Sequence, residues 1–510
     1  MIQFEVYRDG KLAGDMDLSG AYVFGQDAIP VRADITVSKG TIRCSKRVPG
    51  PAGLAVLWDV GQAGTFMLST VRLPERKAPY NLMVELARAQ LFKIIQKRED
   101  WGLFDFADAE ELNNSFDKIR KDFIGALHAS DPSEAAGIGA RTLSDAITLG
   151  EKMALFHADI FLKRRKASGQ AANRTSFGTA VDLSATNKPY NTRLQEVADF
   201  FHIPMAWKSI EPKEQVYDFK QTDKWIDFAA RAQRPVHAGP LLSFGNLNLP
   251  ERLYIWEHDY EALRDLVYEY IQNVVTHYEG KVQVWNVVSG IHGNNTFNLS
   301  FDQLMELTRM SCLLVKKLAP NSKVMIELVM PWGEYYARNQ RSIPPLMYAD
   351  MAVQSGVKFD SFGVQILMGV PRDGHFVRDL LQISAMLDEF VAFGKSVHVS
   401  TCQVPSNTVV DPDDAWEGKA PITEAGKWHA PWSPRLQAEW LQAFYRIGIS
   451  KPFVESVCWG DLADRGEQSI PHGGLCSHAM EPKLAFRELR NFKAFIYGNG
   501  ASKGNSRRSK

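Results

Sequence analysis

The sequence predicts an α/β protein with a (β/α)8 TIM barrel in its C-terminal part, preceded by a small β-sandwich-like domain and a helical segment. The strongest observation is the stretch 281–293, where a run rich in valine ends in glycines between helix-like stretches at 259–278 and 300–318. Short apolar strands and helices alternate in this way from about 177 to 498. Roughly eight such units fit there, which is typical of this barrel.

The first predicted domain, residues 1–79, is rich in strand signals. Asp9-Gly10 predicts a tight hairpin turn, because both residue types adopt positive φ readily. Further strand runs follow at 31–37, 41–44, 54–60 and 65–73. Many carbohydrate-binding modules have this shape, although shape alone does not determine function. The domain is therefore a candidate carbohydrate-binding module.

Residues 80–170 are predicted to be a helical segment and a linker. Apolar residues recur there at helical spacing, among them Leu82, Leu86, Phe92 and Ile95. A further helix is predicted over 142–166, followed by a small polar linker at 167–173. The barrel is then expected over 175–499. The last stretch, 500–510, is rich in Ser, Lys and Arg and is predicted to be a disordered basic tail.

Composition excludes several partners. The chain has 59 basic and 59 acidic residues, so it has no general attraction to nucleic acid. It contains no apolar run long enough for a membrane span, and its first residues do not resemble a secretory signal. The five cysteines are widely spaced, which favours free thiols and a cytoplasmic location. No tight His/Asp/Glu spacing predicts a metal site, and no cofactor is expected.

Seven segments in the last three-fifths of the chain resemble, in order, motifs of glycoside hydrolase family 10, the endo-1,4-β-xylanases. Residues 285–290 (WNVVSG) resemble the fourth-strand motif WDVVNE, and 397–404 resemble the seventh-strand motif IHITELDV. The other segments lie at 205–212, 249–253, 363–365, 457–460 and 481–485. The resemblance implies a TIM barrel and O-glycosyl hydrolase activity on a β-linked polysaccharide.

The resemblance places both catalytic carboxylates of that family on residues without one. The acid/base position falls on Gly290, and the nucleophile position falls on Thr401. A retaining glycosidase needs two carboxylates about 5 to 5.5 Å apart. Glycine has no side chain, and a threonine hydroxyl without a partner base is a poor nucleophile. Whether the protein is an enzyme is therefore open.

The sugar-binding positions implied by the resemblance are largely replaced. The family's polar or aromatic residues fall on Ala206, Gly239, Ser243, Phe244 and Leu367. Two positions keep the family's residue type, and the resemblance implies that they bind substrate; they are Gln365 and Trp459.

Three functions are compatible with these observations. The first is a family 10-like, xylanase-like protein that is catalytically impaired and retained to bind a glycan, such as a β-linked oligosaccharide, or a protein partner. The second is an active O-glycosyl hydrolase with relocated carboxylates, for which Glu327 and Asp461 are candidates because both lie near predicted strand ends. The third is a structural or interaction protein. Three tryptophans in the long loop 411–434 are typical either of sugar stacking or of a lid over the barrel.

Overall fold

The computed structural model of the protein describes residues 1–168, 176–185, 187–245 and 247–498. The predicted tail and most of the predicted linker lie outside the described residues. None of the helices in the described ranges is long and apolar enough to cross a membrane.

Two sheets, with mostly antiparallel pairing, fill the N-terminal part. Their strands, with the β2–β3 hairpin, are β1 (Ile2–Glu5), β2 (Tyr7–Arg8), β3 (Lys11–Leu12), β4 (Tyr22–Phe24), β5 (Pro30–Val31), β6 (Ala33–Ser38), β7 (Thr41–Lys46), β8 (Gly53–Asp59), β9 (Gly64–Ser69) and β10 (Tyr80–Asn81). One sheet has the order β10-β1-β7-β6, and the other contains β9-β8-β4-β5. The hairpin predicted at Asp9-Gly10 is confirmed, with φ of 50° and 75° at these residues.

Three helices follow these sheets: α1 (Leu82–Asp100), α2 (Glu110–His128) and α3 (Pro132–Ala167). The third begins ten residues earlier than predicted, because the Asp131 side chain accepts a hydrogen bond from the Ser133 amide and Pro132 occupies the first helical position. Phe92 and Ile95, part of the predicted apolar spacing, are 55% and 37% exposed. The helix was predicted correctly, but these two residues do not belong to its buried face.

The C-terminal part is a closed, parallel, eight-stranded barrel, which confirms the predicted fold class. Its strands are β11 (Phe177–Ala180), β12 (Phe200–Ile203), β13 (Val236–Ala238), β14 (Val284–Ser289), β15 (Lys323–Leu328), β16 (Ser361–Leu367), β17 (Ser396–Gln403) and, after the short β18 (Lys427–Trp428), β19 (Val454–Trp459). Pairing of β19 with both β17 and β11 closes the sheet. All six residues of β14 are buried, as expected for a strand covered on both faces.

The helices of this part follow the strands in the alternation that the sequence predicts. They are α4 (Lys188–Val197), α5 (Trp207–Ile210), α6 (Lys220–Arg231), α7 (Tyr260–His277), α8 (Phe301–Leu318), α9 (Pro345–Gln354), α10 (Leu380–Glu389), α11 (Pro434–Ser450) and α12 (Leu484–Tyr497). A capping box between Ser300 and Gln303 fixes the start of α8. As in other parallel barrels, the loops after the carboxyl ends of the strands form the mouth.

The N-terminal part is joined to this mouth by several contacts. The two-residue strand β18, in the loop after β17, pairs with β9 and adds a fifth strand to the second N-terminal sheet. Glu151 of α3 accepts hydrogen bonds from the Trp428 indole at 2.7 Å and from the Leu380 amide at 3.1 Å. Arg378 forms a buried ion pair with Glu334 and donates to the Met67 carbonyl at 3.3 Å. The role of residues 1–79 as a carbohydrate-binding module stays a prediction.

Candidate functional site

A cavity of about 580 Å³ opens at the mouth of the barrel. Loops and strand ends from most of the circumference line it, and they bring together Phe244, Ser289, Val329, Gln365, Trp416 and Ser469. This volume lies within the range of small-molecule sites in proteins. The sequence resemblance implies a ligand site at this end of the barrel, and the cavity is the opening found there.

The lining of this mouth cavity is polar but uncharged. Its hydrogen-bonding side chains are amides, hydroxyls and one imidazole: Ser243, Asn248, Ser289, Asn294, Asn295, Thr296, Asn339, Gln365, His375 and Ser469. Among the described lining residues there is no Asp, Glu, Lys or Arg. Burial lowers the pKa of His375 to about 4, so this imidazole is neutral at pH 7. Such a wall suits a neutral ligand that donates and accepts hydrogen bonds.

Gly290, on which the sequence resemblance places the family's acid/base residue, follows β14 directly at the mouth. Its φ of +65° lies in the left-handed region, which favours glycine. Its amide donates to the Glu327 carbonyl at 3.1 Å. A Cβ at this position would lie 2.8 Å from Val329 Cγ2, which is closer than carbon atoms in contact normally approach. The local backbone therefore disfavours a glutamate here by strain and by collision.

Thr401, on which the sequence resemblance places the family's nucleophile, lies on β17 and pairs with Gln365 of β16. The residue is half-buried. A Cβ on Gly460 would lie 3.2 Å from Thr401 Cγ2, so the backbone of Gly460 lies close to the threonine side chain. Thr401 presents a hydroxyl and a methyl group where a retaining glycosidase presents a carboxylate.

Glu327, the first candidate for a relocated carboxylate, lies on β15 and is 5% exposed. Its Oε2 accepts hydrogen bonds from Asn286 Nδ2 at 3.0 Å and from Ser289 Oγ at 2.5 Å. Burial lowers the pKa of the neighbouring His202, and the charge of Glu327 opposes that shift. Because Ser289 lines the mouth cavity, Glu327 lies directly behind the cavity wall.

Asp461, the second candidate, lies in a different environment after β19. Its Oδ2 accepts from Gln403 Nε2 at 3.0 Å, and its Oδ1 accepts from Arg465 Nε at 3.0 Å. It lines a separate cavity of about 210 Å³ together with Asp182 and Asp464. The structure therefore does not bring Glu327 and Asp461 together on the mouth cavity.

The two residues predicted to bind substrate are placed differently from each other. Gln365 lies on β16 and lines the mouth cavity. Trp459 is fully buried, its indole N–H donates to the Gly473 carbonyl at 2.9 Å, and its ring packs edge-on against Trp440. A sugar could contact Trp459 only after its neighbours moved. The substrate-binding role of both residues stays a prediction.

Trp416, one of the three tryptophans in the loop 411–434, lines the mouth cavity. Its indole N–H donates to the Ser469 carbonyl at 2.9 Å, which fixes the ring plane. The guanidinium of Arg372 lies over the ring, 4.0 Å from its centroid. The other two, Trp428 and Trp432, are 6% and 4% exposed and belong to the core.

Sequence reasoning missed the contribution of the loop after β14. His292 is fully buried, receives the Val329 amide at Nε2 and contacts Tyr335 at 2.6 Å through Nδ1. Burial lowers its pKa to about 3, so it is a neutral residue that holds the loop in place. Asn295 bridges to the Leu299 and Arg341 carbonyls. The asparagine pair Asn294-Asn295 is a sequence signal that could have indicated a polar cavity wall.

The described part of the chain contains free cysteines but no cluster arranged to hold a metal ion. All five cysteines are buried and unpaired. No group of three or more His, Cys, Asp or Glu side chains within the described ranges is arranged to hold a metal ion. Cys402 and Cys458 are buried at 0% and 2% exposure, and burial raises the pKa of both thiols.

Parts of this chain are similar in sequence to known xylanases. Endo-1,4-beta-xylanase B of Thermotoga neapolitana is 33% identical over 85 residues, 17% of this chain and 24% of the relative. Beta-1,4-xylanase of Dictyoglomus thermophilum is 40% identical over 91 residues, 18% of this chain and 25% of the relative. The chain thus spans about a quarter of the length of each of these relatives.

Solved structures with the same kind of barrel include xylanase 10B from Thermotoga petrophila in complex with xylobiose. It is 15% identical, with a TM-score of 0.48, and the match covers 65% of this chain and 97% of that one. The family model for glycosyl hydrolase family 10 matches residues 166–425, which is about half of the sequence. This chain therefore belongs to glycosyl hydrolase family 10.

Proposed function

We propose that this protein binds a neutral, β-linked oligosaccharide in the mouth cavity and does not hydrolyse it by the two-carboxylate mechanism. The observation that carries the proposal is the lining of the cavity, which has hydrogen-bonding amides and hydroxyls and a tryptophan but no carboxylate among its described residues. Amides and hydroxyls match the hydroxyl groups of a sugar, and aromatic rings stack on its apolar face.

The backbone at Gly290 supports the same conclusion. A retaining mechanism needs an acid at this position and a nucleophile at Thr401. The positive φ of Gly290 and the contact that a Cβ would make with Val329 fit a loop built around glycine rather than around glutamate. The glycine at 290 and the threonine at 401 therefore support the proposal that the two-carboxylate mechanism does not operate here.

The alternative of a hydrolase with relocated carboxylates has less support. Asp461 has both oxygens engaged, by Gln403 and Arg465, and lines the other cavity. Of the two candidates, only Glu327 is hydrogen-bonded to a residue that lines the mouth cavity, Ser289. One carboxylate cannot supply both the nucleophile and the separate general acid that the retaining mechanism requires.

Hydrolysis and binding should be measured on the same purified sample. We expect no release of reducing sugar from xylan and no release of phenol from an aryl-xylobioside above the buffer blank. Calorimetry with xylotriose and cellotriose should show binding with a dissociation constant of about a millimolar or below.

Two outcomes would decide against this proposal. The first is turnover that is abolished by Glu327→Gln or Asp461→Asn, which would establish relocated catalysis. The second is an absence of binding to either trisaccharide at millimolar concentration, which would assign the cavity to another ligand class.

A further inference from the structure

Only one of the two carboxyl oxygens of Glu327 accepts hydrogen bonds from the described residues. Both of its hydrogen bonds, from Asn286 and from Ser289, go to Oε2. In the described part of the chain, Oε1 receives no hydrogen bond, and it is not among the buried polar atoms that lack a partner. The residue keeps 5% of its surface accessible. One carboxyl oxygen of Glu327 therefore has unused acceptor capacity and a small accessible surface.

The fold reserves space for this side chain inside the barrel. Gly363 of β16 stands opposite Glu327 in the strand register. A Cβ on Gly363 would lie 3.2 Å from Glu327 Cβ and 3.1 Å from Met325 Sδ, so any larger residue would press on the glutamate. The carboxylate is thus held from one side by two donors and accommodated on the other by a glycine.

Two neighbours of Glu327 connect it to the mouth cavity. Ser289, which donates to Glu327, lines that cavity, and so does Gln365, two residues after Gly363 on the neighbouring strand. Glu327 therefore lies one layer below Gln365 and beside Ser289. With so little accessible surface, the carboxylate has room for a single hydroxyl group rather than a whole sugar ring.

We infer that Glu327 is the acceptor for one ligand hydroxyl at the floor of the mouth cavity and that it selects neutral over acidic sugars. This inference rests on the proposed function. A hydroxyl that donates to a carboxylate forms a charge-assisted hydrogen bond, which is stronger than one to an amide. An anionic group such as a uronic acid would face the fixed charge of Glu327 with no cation in the described lining to offset it.

The test is calorimetry with xylotriose on the full chain, with Glu327→Gln as the main variant. Glutamine keeps the shape of the side chain but removes the charge, so we expect affinity to fall by about tenfold. Asp461→Asn is the matched control, because it neutralises the other candidate carboxylate, and its affinity should stay within about twofold of the wild type. Thermal unfolding of each variant checks that it is folded.

A second measurement varies the ligand instead of the protein. A series of xylotriose analogues, each with one hydroxyl replaced by hydrogen, should identify one position where the affinity of the wild type falls about tenfold. The Glu327→Gln variant should not discriminate against the analogue changed at that position. A trisaccharide with a uronic acid at the same position should bind more weakly than xylotriose.

The outcomes separate this inference from the function on which it rests. If the wild type binds neither xylotriose nor cellotriose, the proposed function fails and the inference falls with it. If the wild type binds, and neither Glu327→Gln nor any single deoxygenation changes affinity, the role of Glu327 alone is overturned while glycan binding stands.

Discussion

Two sides of the barrel mouth use their polar groups differently. On the side of β14 and β15, Ser289 lines the cavity and Glu327 keeps one oxygen without a protein donor. On the side of β19, Trp459 is fully buried and Asp461 has one donor on each oxygen. On the first side, where the resemblance places a missing glutamate, a carboxyl oxygen of Glu327 has no donor among the described residues. On the second side, where the resemblance places a retained tryptophan, both oxygens of Asp461 and the indole N–H of Trp459 have protein partners. Residue identity at a motif position is therefore a weaker guide to ligand contact than the partners of that residue.

The largest expected effect is a loss of stability on replacing Trp459 with alanine, on the side of β19. Removing a fully buried tryptophan should lower the free energy of unfolding by about 3–5 kcal/mol, because a large cavity replaces its contacts. Urea denaturation measures the loss. At a temperature where the variant is folded, its affinity for xylotriose should equal that of the wild type.

The matched variant is Trp416→Ala. Because Trp416 is half-buried and lines the cavity, this change should cost less stability and more affinity than Trp459→Ala. If Trp459→Ala loses affinity and Trp416→Ala does not, the tryptophan of β19 reaches the ligand and the contrast between the two sides is wrong.

The next effect is expected for restoring both carboxylates with Gly290→Glu and Thr401→Glu. Left-handed backbone strain and the contact with Val329 should cost about 1–3 kcal/mol of stability. We expect no xylanase activity in a reducing-sugar assay, since Ala206, Gly239 and Leu367 do not position the sugar.

A control separates strain from collision in that experiment. Gly280 also has positive φ, at 74°, but a Cβ there would have no neighbour within 4 Å. Gly280→Glu should therefore show the strain alone, and Gly290→Glu should be the more destabilised of the two. Robust xylan hydrolysis by the double variant would show that the altered sugar positions matter little.

A smaller effect is expected for Asp461→Asn. The pair with Arg465 is partly exposed, with side-chain exposures of 14% and 42%, so its loss should cost less than about 1 kcal/mol. Differential scanning calorimetry measures this change. A loss of several kcal/mol would show that the β19 side is held by this pair rather than by packing around Trp459.

The smallest expected effect is on the pH dependence of the free energy of unfolding. Burial lowers the pKa of His429, but its hydrogen bond and charge interaction with Glu151, at 2.9 Å, outweigh this and raise the pKa above its usual value. A raised pKa in the folded state means that this stabilisation is fully present below the unfolded pKa of about 6.5 and is lost as pH rises through the folded value.

The variant His429→Gln should remove this pH dependence. Thermal unfolding of wild type and variant should differ most at mildly acidic pH and converge at alkaline pH. A difference that grows with rising pH would contradict the proposed charge state of the pair.

The sequence was sufficient for the fold where periodicity is strong. The helix predicted over 259–278 is found as Tyr260–His277, because apolar spacing and the Asp259 cap both act locally. The helix predicted over 142–166 is found as Pro132–Ala167, since Asp131 caps a start that lies ten residues before the predicted one. Element boundaries are harder to predict from sequence than the elements themselves.

The site was less accessible from sequence, because its chemistry arises between distant segments. The resemblance located Gly290 and Thr401, but the uncharged cavity needs Asn294, Trp416 and Ser469, which only the closed barrel brings together. The burial of Trp459 depends likewise on Trp440 and Gly473, and no pattern along the chain reveals such partners.

The two-residue strand β18 has a consequence for how the molecule is made. Its partner β9 ends at Ser69, whereas β18 begins at Lys427. One edge of the N-terminal sheet therefore stays unpaired until a segment more than three hundred residues later has been synthesised. Until then β9 is an open edge that other chains can pair with. The loop that carries Trp416 also carries β18, so the cavity wall forms late in a nascent chain. Aggregation through the open edge during synthesis would therefore compete with completion of the site.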